Sequence, residues 1–273
     1  MHRFRFPAPN LSRVLVRNLG ISAVVAGLSS SLAAQAAEQK LGDSTSNWGL
    51  GLGVASAQQP YTDIDRDSQA IPLIYFENDY VRVLGATAEI KLPSLQMGDS
   101  QQFNFNIIAT YDSGGYEEGD AAILDGMDDR DGGFWGGAKM EWQSEWVNIN
   151  AEWLADVSGD SDGQRFTLGL ERSWTFGQHM MLTPRLAAVW HNQDYVDYYF
   201  GVRNDEVRAN RAAYKGKSTI NTQFGVRGTY MFDQQHSVFL DLETLRLGSE
   251  IEDSPLVDTS SENSVRFGYL YRF

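Results

Sequence analysis

Hydrophobic and polar residues alternate along most of this chain. In "WGLGLGVAS" the apolar residues Trp48, Leu50, Leu52 and Val54 are separated by glycines. The C-terminal "SVRFGYLYRF" has the same period, with apolar side chains at Val265, Phe267, Tyr269, Tyr271 and Phe273. Successive side chains of a β-strand point to opposite faces, so each segment predicts a strand with one apolar face.

The same period recurs between these two ends, in "FNFNIIATY", "WVNINAEWLADV", "RFTLGLERSW", "MLTPRLAAVWH" and "INTQFGVRGTYMF". No helical period is seen. The connections are either tight, as at 143–145, 177–178 and 233–235, or long and polar, as at 58–69, 113–132, 193–217 and 249–262. Bacterial outer-membrane barrels have short periplasmic turns and long external loops. The pattern therefore predicts an all-β protein, a closed antiparallel transmembrane β-barrel.

The strand count depends on the segment 70–92. Its apolar positions share one parity through Asn78-Asp79, namely Ile74, Phe76, Tyr80, Leu84, Ala88, Ile90 and Leu92. If this segment crosses the membrane once, the barrel has about ten strands and every long connection lies on the external side. If "ENDY" is instead a hairpin turn, twelve strands become possible.

A soluble β-sandwich would show similar alternation, but its polar face would be solvated and rich in Lys and Thr. Here the polar face carries Asn, Gln and Gly with opposite charges that can pair across a narrow lumen: Lys139, Glu141, Glu152, Glu171, Arg185, Arg227, Asp241, Glu243 and Arg266. In lipid only a closed sheet leaves no unpaired backbone edge. The barrel is therefore favoured.

The N-terminus predicts export. Residues 1–36 contain a basic region, a short apolar region and the sequence Ala34-Gln35-Ala36, as a secretory signal peptide does. We expect cleavage between Ala36 and Ala37, followed by a short polar segment at 37–46 and the barrel at 47–273. Loss of four arginines lowers the net charge from −14 to −18, which disfavours nucleic-acid binding. The absence of cysteine excludes disulfides and thiolate metal sites.

Several segments resemble the MipA/OmpV family of outer-membrane proteins, which includes the MltA-interacting protein. They are "YEEGDAAILDGMDDRDGGFWGGA", "DYYFGV", "DSPLV" and the closing "GYLYRF", and the likeness covers the chain from about Trp48 to Phe273. The loop residues that carry it are Leu124, Gly126, Met127, Asp129, Arg130, Tyr199, Gly201, Val202, Asp253, Ser254 and Pro255. Two departures are Phe200, where a second tyrosine is expected, and the missing glycine after Pro60-Tyr61.

The resemblance implies an integral outer-membrane barrel that is not an enzyme, needs no cofactor and has no catalytic residues. It implies a structural role that links a lytic transglycosylase and a murein synthase to the outer membrane; a small channel or a surface adhesin is the alternative. Likeness to outer-membrane proteins in general implies that Val265, Phe267, Tyr269, Tyr271 and Phe273 form the signal read by the barrel-assembly machinery. The expected surroundings are outer-membrane lipid and lipopolysaccharide.

Clusters of acidic residues suggest binding of divalent metal ions. Asp63, Asp65 and Asp67 occupy calcium-loop positions one, three and five, but Ser68 replaces the glycine and Ile74 the closing glutamate. We therefore expect solvated external loops that bind divalent ions loosely, which could bridge lipopolysaccharide phosphates, and no defined metal site.

An outer-membrane hydrolase is a remote alternative. His191 ends a strand near an external loop beside Asn192 and Asp194, but no serine elbow is present. Asp128 and Asp129 could join His191 in a protease-like rim, yet "DDR" more simply predicts an ion pair with its own Arg130.

Aromatic residues fall into two groups. Tryptophans near strand ends predict an interfacial girdle: Trp135, Trp142, Trp146, Trp153, Trp174 and Trp190. Tyr195, Tyr198, Tyr199 and Phe200 lie in a long loop, and either fold inward as a plug, which we favour, or form an exposed binding patch.

Overall fold

A computed structural model describes residues 46–64, 66–98 and 100–273. The expected signal peptide and its cleavage site at Ala36 and Ala37 lie outside these residues, as does Asp65. No helix in the described residues is long and apolar enough to cross a membrane.

The described residues form one antiparallel sheet. Its strands are β1 (Asn47–Ala57), β2 (Asp67–Glu77), β3 (Val81–Leu84), β4 (Thr87–Lys91), β5 (Leu95–Met97), β6 (Gln101–Asp112), β7 (Gly133–Gln143), β8 (Asn148–Asp156), β9 (Gln164–Glu171), β10 (Trp174–Phe176), β11 (Met180–His191), β12 (Thr219–Met231), β13 (His236–Arg246) and β14 (Ser261–Arg272). Twelve of these strands close a barrel, and the short β5 and β10 extend it by pairing with β6 and β11.

The barrel closes between its two ends. β14 pairs with β1 over nine residue pairs, from Gly49 opposite Arg272 to Ala57 opposite Ser264. At the last residue, the Phe273 N–H donates to the Trp48 carbonyl at 2.8 Å. Closure leaves no continuous open edge along the sheet, as a hydrocarbon environment requires.

The count of twelve comes from the segment 70–92. β2 is followed by a turn at 78–80 and β3, and β3 by a turn at Gly85-Ala86 and β4. The prediction that 70–92 crosses the membrane once was therefore wrong, and "ENDY" belongs to a hairpin. Each turn reverses which parity faces the lumen. Leu84 is therefore luminal and only 5% exposed, whereas Ile90, after the second reversal, is on the outer face again. The two reversals cancel, which is why the sequence parity appeared continuous.

The outer face of the barrel is apolar. Outward side chains at Leu50, Leu52, Val54, Ile74, Ile107, Phe224, Leu240 and Phe267 are each exposed by at least 40%. The residues between them point inward and are largely polar, so the alternation predicted from sequence is the division between lipid and lumen.

Connections at one end of the barrel are long and carry the remaining elements. They are 58–66, 113–132, 157–163, 192–218 and 247–260, and the short turn 85–86 lies at the same end. They include a 3₁₀ turn (Ala122–Leu124), α1 (Gln193–Phe200) and α2 (Ser249–Glu252). The other end has 78–80, 92–100, 144–147, 172–179 and 232–235. By the rule used above, the first end is external and the second periplasmic.

Candidate functional site

The external end is closed by a folded cap, built from residues 58–64, 113–132, 192–218 and 247–260. Its core is aromatic and aliphatic and includes Tyr61, Tyr116, Leu124, Met127, Tyr195, Val196, Tyr199, Phe200, Val202, Ile251 and Leu256, each at most 6% exposed. Tyr61 stacks on Phe200 and meets Tyr116 edge to face, with ring centroids 5.6 and 5.0 Å apart. Loops that are polar in sequence therefore bury a second hydrophobic core above the lumen.

Helix α1 places the aromatic residues of this cap. The Asn192 side chain caps it by accepting from the Tyr195 N–H at 3.0 Å. Tyr195 and Tyr199 then follow four residues apart on one face, with rings 4.8 Å apart. Burial raises the pKa of both phenols. Tyr195, Tyr199 and Phe200 thus fold inward as a plug, as favoured from the sequence, while Tyr198 is half-buried at its edge.

One tryptophan assigned to the girdle belongs to this cap instead. Trp135 is 1% exposed, lies 5.9 Å from the Tyr195 ring and has the Arg165 guanidinium over its face at 5.4 Å. It occupies a luminal position of β7, because Phe134 beside it faces outward. The girdle prediction was therefore wrong for Trp135, whose position within the strand pattern could have placed it inside.

Ion pairs join the cap loops to one another. The Arg130 Nη2 lies 2.7 Å from the Glu206 Oε1, and both side chains are at most 3% exposed. The expected pairing within "DDR" was wrong, because Asp128 instead pairs with Arg203 on the surface at 2.6 Å. Burial alone would raise the pKa of Glu206, but the hydrogen bonds from Arg203, Arg130 and Asp128 outweigh it and lower the pKa.

The residues that carry the family resemblance lie in or around this cap. Leu124, Met127, Arg130, Tyr199, Gly201, Val202 and Ser254 are buried. Gly126 has a positive φ of 71°, and a Cβ there would meet the Arg208 guanidinium. The Ser254 hydroxyl donates to the Phe200 carbonyl at 2.7 Å, close to Asp253 and Pro255 in the chain. Asp129 accepts from the Glu118 N–H at 2.8 Å. These positions hold three loops together, and we ascribe structural roles to them.

Below the cap, two groups of paired charges occupy the lumen. In the first, on β3, β4 and β7, Arg82 binds Glu89, and the Lys139 Nζ lies 2.6 Å from the Glu141 Oε1. All four side chains are at most 8% exposed. Lys139 and Glu141 were predicted to pair across the lumen; Arg82 and Glu89 were missed because β3 and β4 were taken as parts of one strand.

The second group, on β11 to β14, surrounds Asp241. Its carboxylate accepts from Arg185 at 2.7 Å, from Arg227 at 2.9 Å and from Arg266 at 3.2 Å. Glu243 adds a second carboxylate by binding Arg185 and Arg266, so two carboxylates are shared among three guanidinium groups. Between the two groups lies a cavity of about 40 Å³ lined by residues that include Lys139, Glu152 and Arg185, which is room for very few water molecules.

Candidate catalytic and metal-binding residues are not assembled in the described part of the chain. His191 is 2% exposed and stacks on Tyr195 at 4.1 Å, with no hydrogen bond to a serine or an acid there. No group of three His, Asp or Glu side chains within residues 46–64, 66–98 and 100–273 could hold a metal ion.

The periplasmic end presents an apolar rim, which we define as β5, β10 and the turns 144–147 and 232–235. Leu95, Met97, Phe176 and Phe232 are 55–59% exposed, and Trp146 reaches 72%. The Arg172 guanidinium lies over the rings of Trp146 and Trp174, at 5.9 and 5.6 Å. Within the described residues, β5 pairs only with β6 and β10 only with β11. Each therefore leaves one backbone edge free beside exposed apolar side chains.

Comparisons with known proteins identify several similar proteins. A protein from Escherichia coli (strain K12) called putative outer membrane protein YiaT is 24% identical over 227 residues, covering 82% of this chain and 90% of its own. The MltA-interacting protein of the same organism is 25% identical over 233 residues, covering 82% and 89%. A solved outer-membrane channel from Pseudomonas putida F1 covers 85% of this chain and 97% of its own at a TM-score of 0.45 and 10% identity.

The match covers nearly the whole length of these relatives, which are outer-membrane proteins. This places the barrel in the outer membrane of a Gram-negative cell. The family model described as MltA-interacting protein MipA matches residues 50–273, from β1 to the last residue. The chain therefore belongs to the MltA-interacting protein (MipA) family of outer-membrane β-barrels, as the motifs in its loops indicated.

Proposed function

We propose that this protein is an outer-membrane anchor that holds a murein-cleaving lytic transglycosylase, and through it a murein synthase, at the periplasmic surface. The name of the Escherichia coli relative, MltA-interacting protein, supports a partner of the transglycosylase class. The two proteins are 25% identical in sequence, so the partner of this protein is itself part of the proposal.

The observation that carries the proposal is the contrast between the two ends of the barrel. The external end is sealed by the cap, and the lumen below it is crossed by the ion pairs around Asp241 and Lys139. The periplasmic rim instead offers exposed apolar side chains and two free strand edges. A barrel filled in this way is suited to binding at its periplasmic rim and poorly suited to transport along its axis.

The free edges suggest how a partner binds. An extended segment can add to an exposed strand edge through backbone hydrogen bonds, while apolar side chains beside the edge supply contact area. β10 offers such an edge with Trp174 and Phe176 alongside it, and β5 offers one with Leu95 and Met97. The short turns alone would give a partner little surface, so these two hairpins are the principal contacts in the proposal.

A crosslinked pull-down from cell envelopes tests this. We expect wild-type protein to recover a lytic transglycosylase, and a variant with Trp174→Ser, Phe176→Ser, Leu95→Ser and Met97→Ser to lose most of it. Val207→Ser, which changes an exposed cap residue, is the matched control and should bind normally. Failure of the wild type to recover any murein enzyme would refute the anchor, whereas equal recovery by the rim variant would refute the rim as its binding surface.

The main alternative is a small channel. Planar-bilayer recordings of purified, folded protein separate the two functions, because paired charges and a buried cap predict a barrel without steady conductance. A stable ohmic conductance in the wild type would favour the channel and contradict the closed anchor. We further propose that the protein acts by binding alone, since His191 is packed against Tyr195 rather than beside a nucleophile.

A further inference from the structure

The barrel wall is much lower at one place than elsewhere. β3 and β4 have four and five residues, whereas their neighbours β2 and β6 have eleven and twelve. β2 pairs with β3 only from Tyr75 to Glu77, and the last hydrogen bond joins the Gly85 N–H to the Ile74 carbonyl at 2.9 Å. Above that bond, residues 67–73 pair with β1 alone in the described chain. The wall therefore has a notch above Gly85-Ala86, open toward the external side.

The sequence of β2 fits a permanent opening there. Because the Ile74 carbonyl faces β3, the backbone of Pro72, two residues away, faces the same open side. Proline has no N–H, so the deepest unpaired position of this edge carries no donor that hydrocarbon would leave unsatisfied. A proline in a closed part of the sheet would instead remove a ladder hydrogen bond. The notch is thus built into the strand.

The outer side of the notch faces hydrocarbon. Ala70, Pro72 and Ile74 of β2 point outward on one flank. On the other flank, Tyr111 points outward near the external end of β6, where its N–H donates to the Ala86 carbonyl at 3.2 Å. Ile74 and Tyr111 are 46% and 39% exposed, as expected for side chains in contact with lipid. The molecules present at this level of the wall are therefore the acyl chains of membrane lipids.

The inner side of the notch is also apolar, unlike the charged lumen further round the barrel. Ile71 and Gln69 of β2 point inward and are half-buried, which leaves part of their surface accessible from the lumen or the notch. Ala55 and Ala57 of β1 line the same region. Alternate residues of β1 that face inward are all small: Gly49, Gly51, Gly53, Ala55 and Ala57. Ile71 packs on Ala55 and Ala57, so the inner surface at this point of the wall is apolar.

The external cap begins directly after β1, because Tyr61, four residues beyond Ala57, lies in the cap core. A ligand therefore reaches this part of the lumen more easily through the barrel wall, from the membrane, than along the barrel axis. We propose that the notch between β2 and β6 is a lateral binding site that admits an acyl chain of an external-leaflet lipid to the lumen beside Ile71. The site is separate from the periplasmic rim, and its occupancy is independent of any partner bound there.

Photocrosslinking in a membrane tests the site with the unmodified protein. The full mature chain is folded into phospholipid vesicles doped with a phospholipid that carries a diazirine near the end of one acyl chain, and adducts are mapped by mass spectrometry after illumination. We expect adducts on the inward-facing Ile71 and Gln69, in addition to those on outward residues such as Ile74. Thr167, which faces the lumen on β9 opposite a complete wall, should carry none, although the outward Leu168 beside it should.

A second variant distinguishes entry of lipid through the notch from entry of lipid into the lumen by another route. Ile71→Trp adds bulk at the luminal side, so we expect loss of the adduct on Gln69 while the adduct on Ile74 remains, with folding verified by migration of the unheated protein on gels. Adducts confined to outward-facing residues in the wild type would overturn the proposal. Equal labelling of Thr167 and Ile71 would overturn it as well, because the route would then not be the notch.

Discussion

Arg130 and Glu206, which are 76 residues apart in the chain, form a buried ion pair that joins two loops of the external cap. Glu206 also accepts from the N–H groups of Arg203 and Asp128, so one carboxylate binds both loops at once. Its ionised form is the one that holds the cap together.

This carboxylate makes the cap sensitive to acid. The pKa of Glu206 is lowered in the folded cap, so its contribution is complete above the unfolded value of about 4.5 and is lost as the pH falls through the lower folded value. We expect Glu206→Gln to make residues 192–218 exchange amide hydrogens faster at neutral pH. In the wild type, the same acceleration should appear only below about pH 4.5. Asp205→Asn, next to it on the surface, is the control, and identical exchange in both variants would contradict the assignment.

The carboxylate of Asp241 stabilises the lumen. Asp241→Ala leaves three buried guanidinium groups with only Glu243 to balance them, and removing one partner of a buried ion pair costs about 3–5 kcal/mol. The measurement is urea unfolding of the barrel in vesicles, followed by tryptophan fluorescence. Asp128→Ala removes a surface pair with Arg203 and should cost at most about 1 kcal/mol. Equal losses in the two variants would show that burial of the pair is not the cause.

The twelve-strand topology predicts where Asp79 lies. It belongs to the β2–β3 turn at the periplasmic end, whereas a single crossing of 70–92 would place it within the membrane. Because the chain has no cysteine, Asp79→Cys can be labelled uniquely. A membrane-impermeant maleimide should react after the outer membrane is permeabilised, as at Asp233→Cys in another periplasmic turn. Ile90→Cys, which faces lipid, should resist; resistance at Asp79→Cys too would support ten strands.

The terminal residue is expected to matter for assembly more than for export. Phe273 donates its N–H to Trp48 and packs its ring edge to face against Tyr271, 5.0 Å away. Deleting Phe273 should lower the amount of folded barrel in the outer membrane, measured as the heat-modifiable band, while the unfolded chain still reaches the periplasm. Phe273→Tyr keeps the aromatic ring and should assemble. Outer-membrane levels that do not change on deletion would contradict an assembly role.

The barrel itself could be predicted from the sequence, because lipid and lumen impose a period of two on every long strand. The error at 70–92 has a physical origin: two tight turns in succession reverse the parity twice, so the pattern of Ile74 and Ile90 reads as one strand. Leu84, between the turns, is buried in the lumen, which the sequence does not show. Arg82 could have indicated the hairpin, because it shares the parity of Ile74 and a single crossing would turn its charge toward lipid.

The cap could be predicted in part. An inward plug was expected because Tyr195, Tyr199 and Phe200 are too apolar for a solvated loop. The partner of Arg130 could not be deduced, since local sequence offers Asp128 and Asp129, and the choice of Glu206 depends on how two loops meet in space. Trp135 could have been assigned correctly from its position beside the outward Phe134.

The pairing of Gly49 with Arg272 has a consequence for biosynthesis. The first and last strands of the barrel are neighbours, so the seam can form only after β14 has been synthesised and exported. A nonsense or frameshift product that lacks β14 has no means of sealing, whatever the quality of its other strands. Closure of the barrel therefore depends on the last strand to be made as much as on the first.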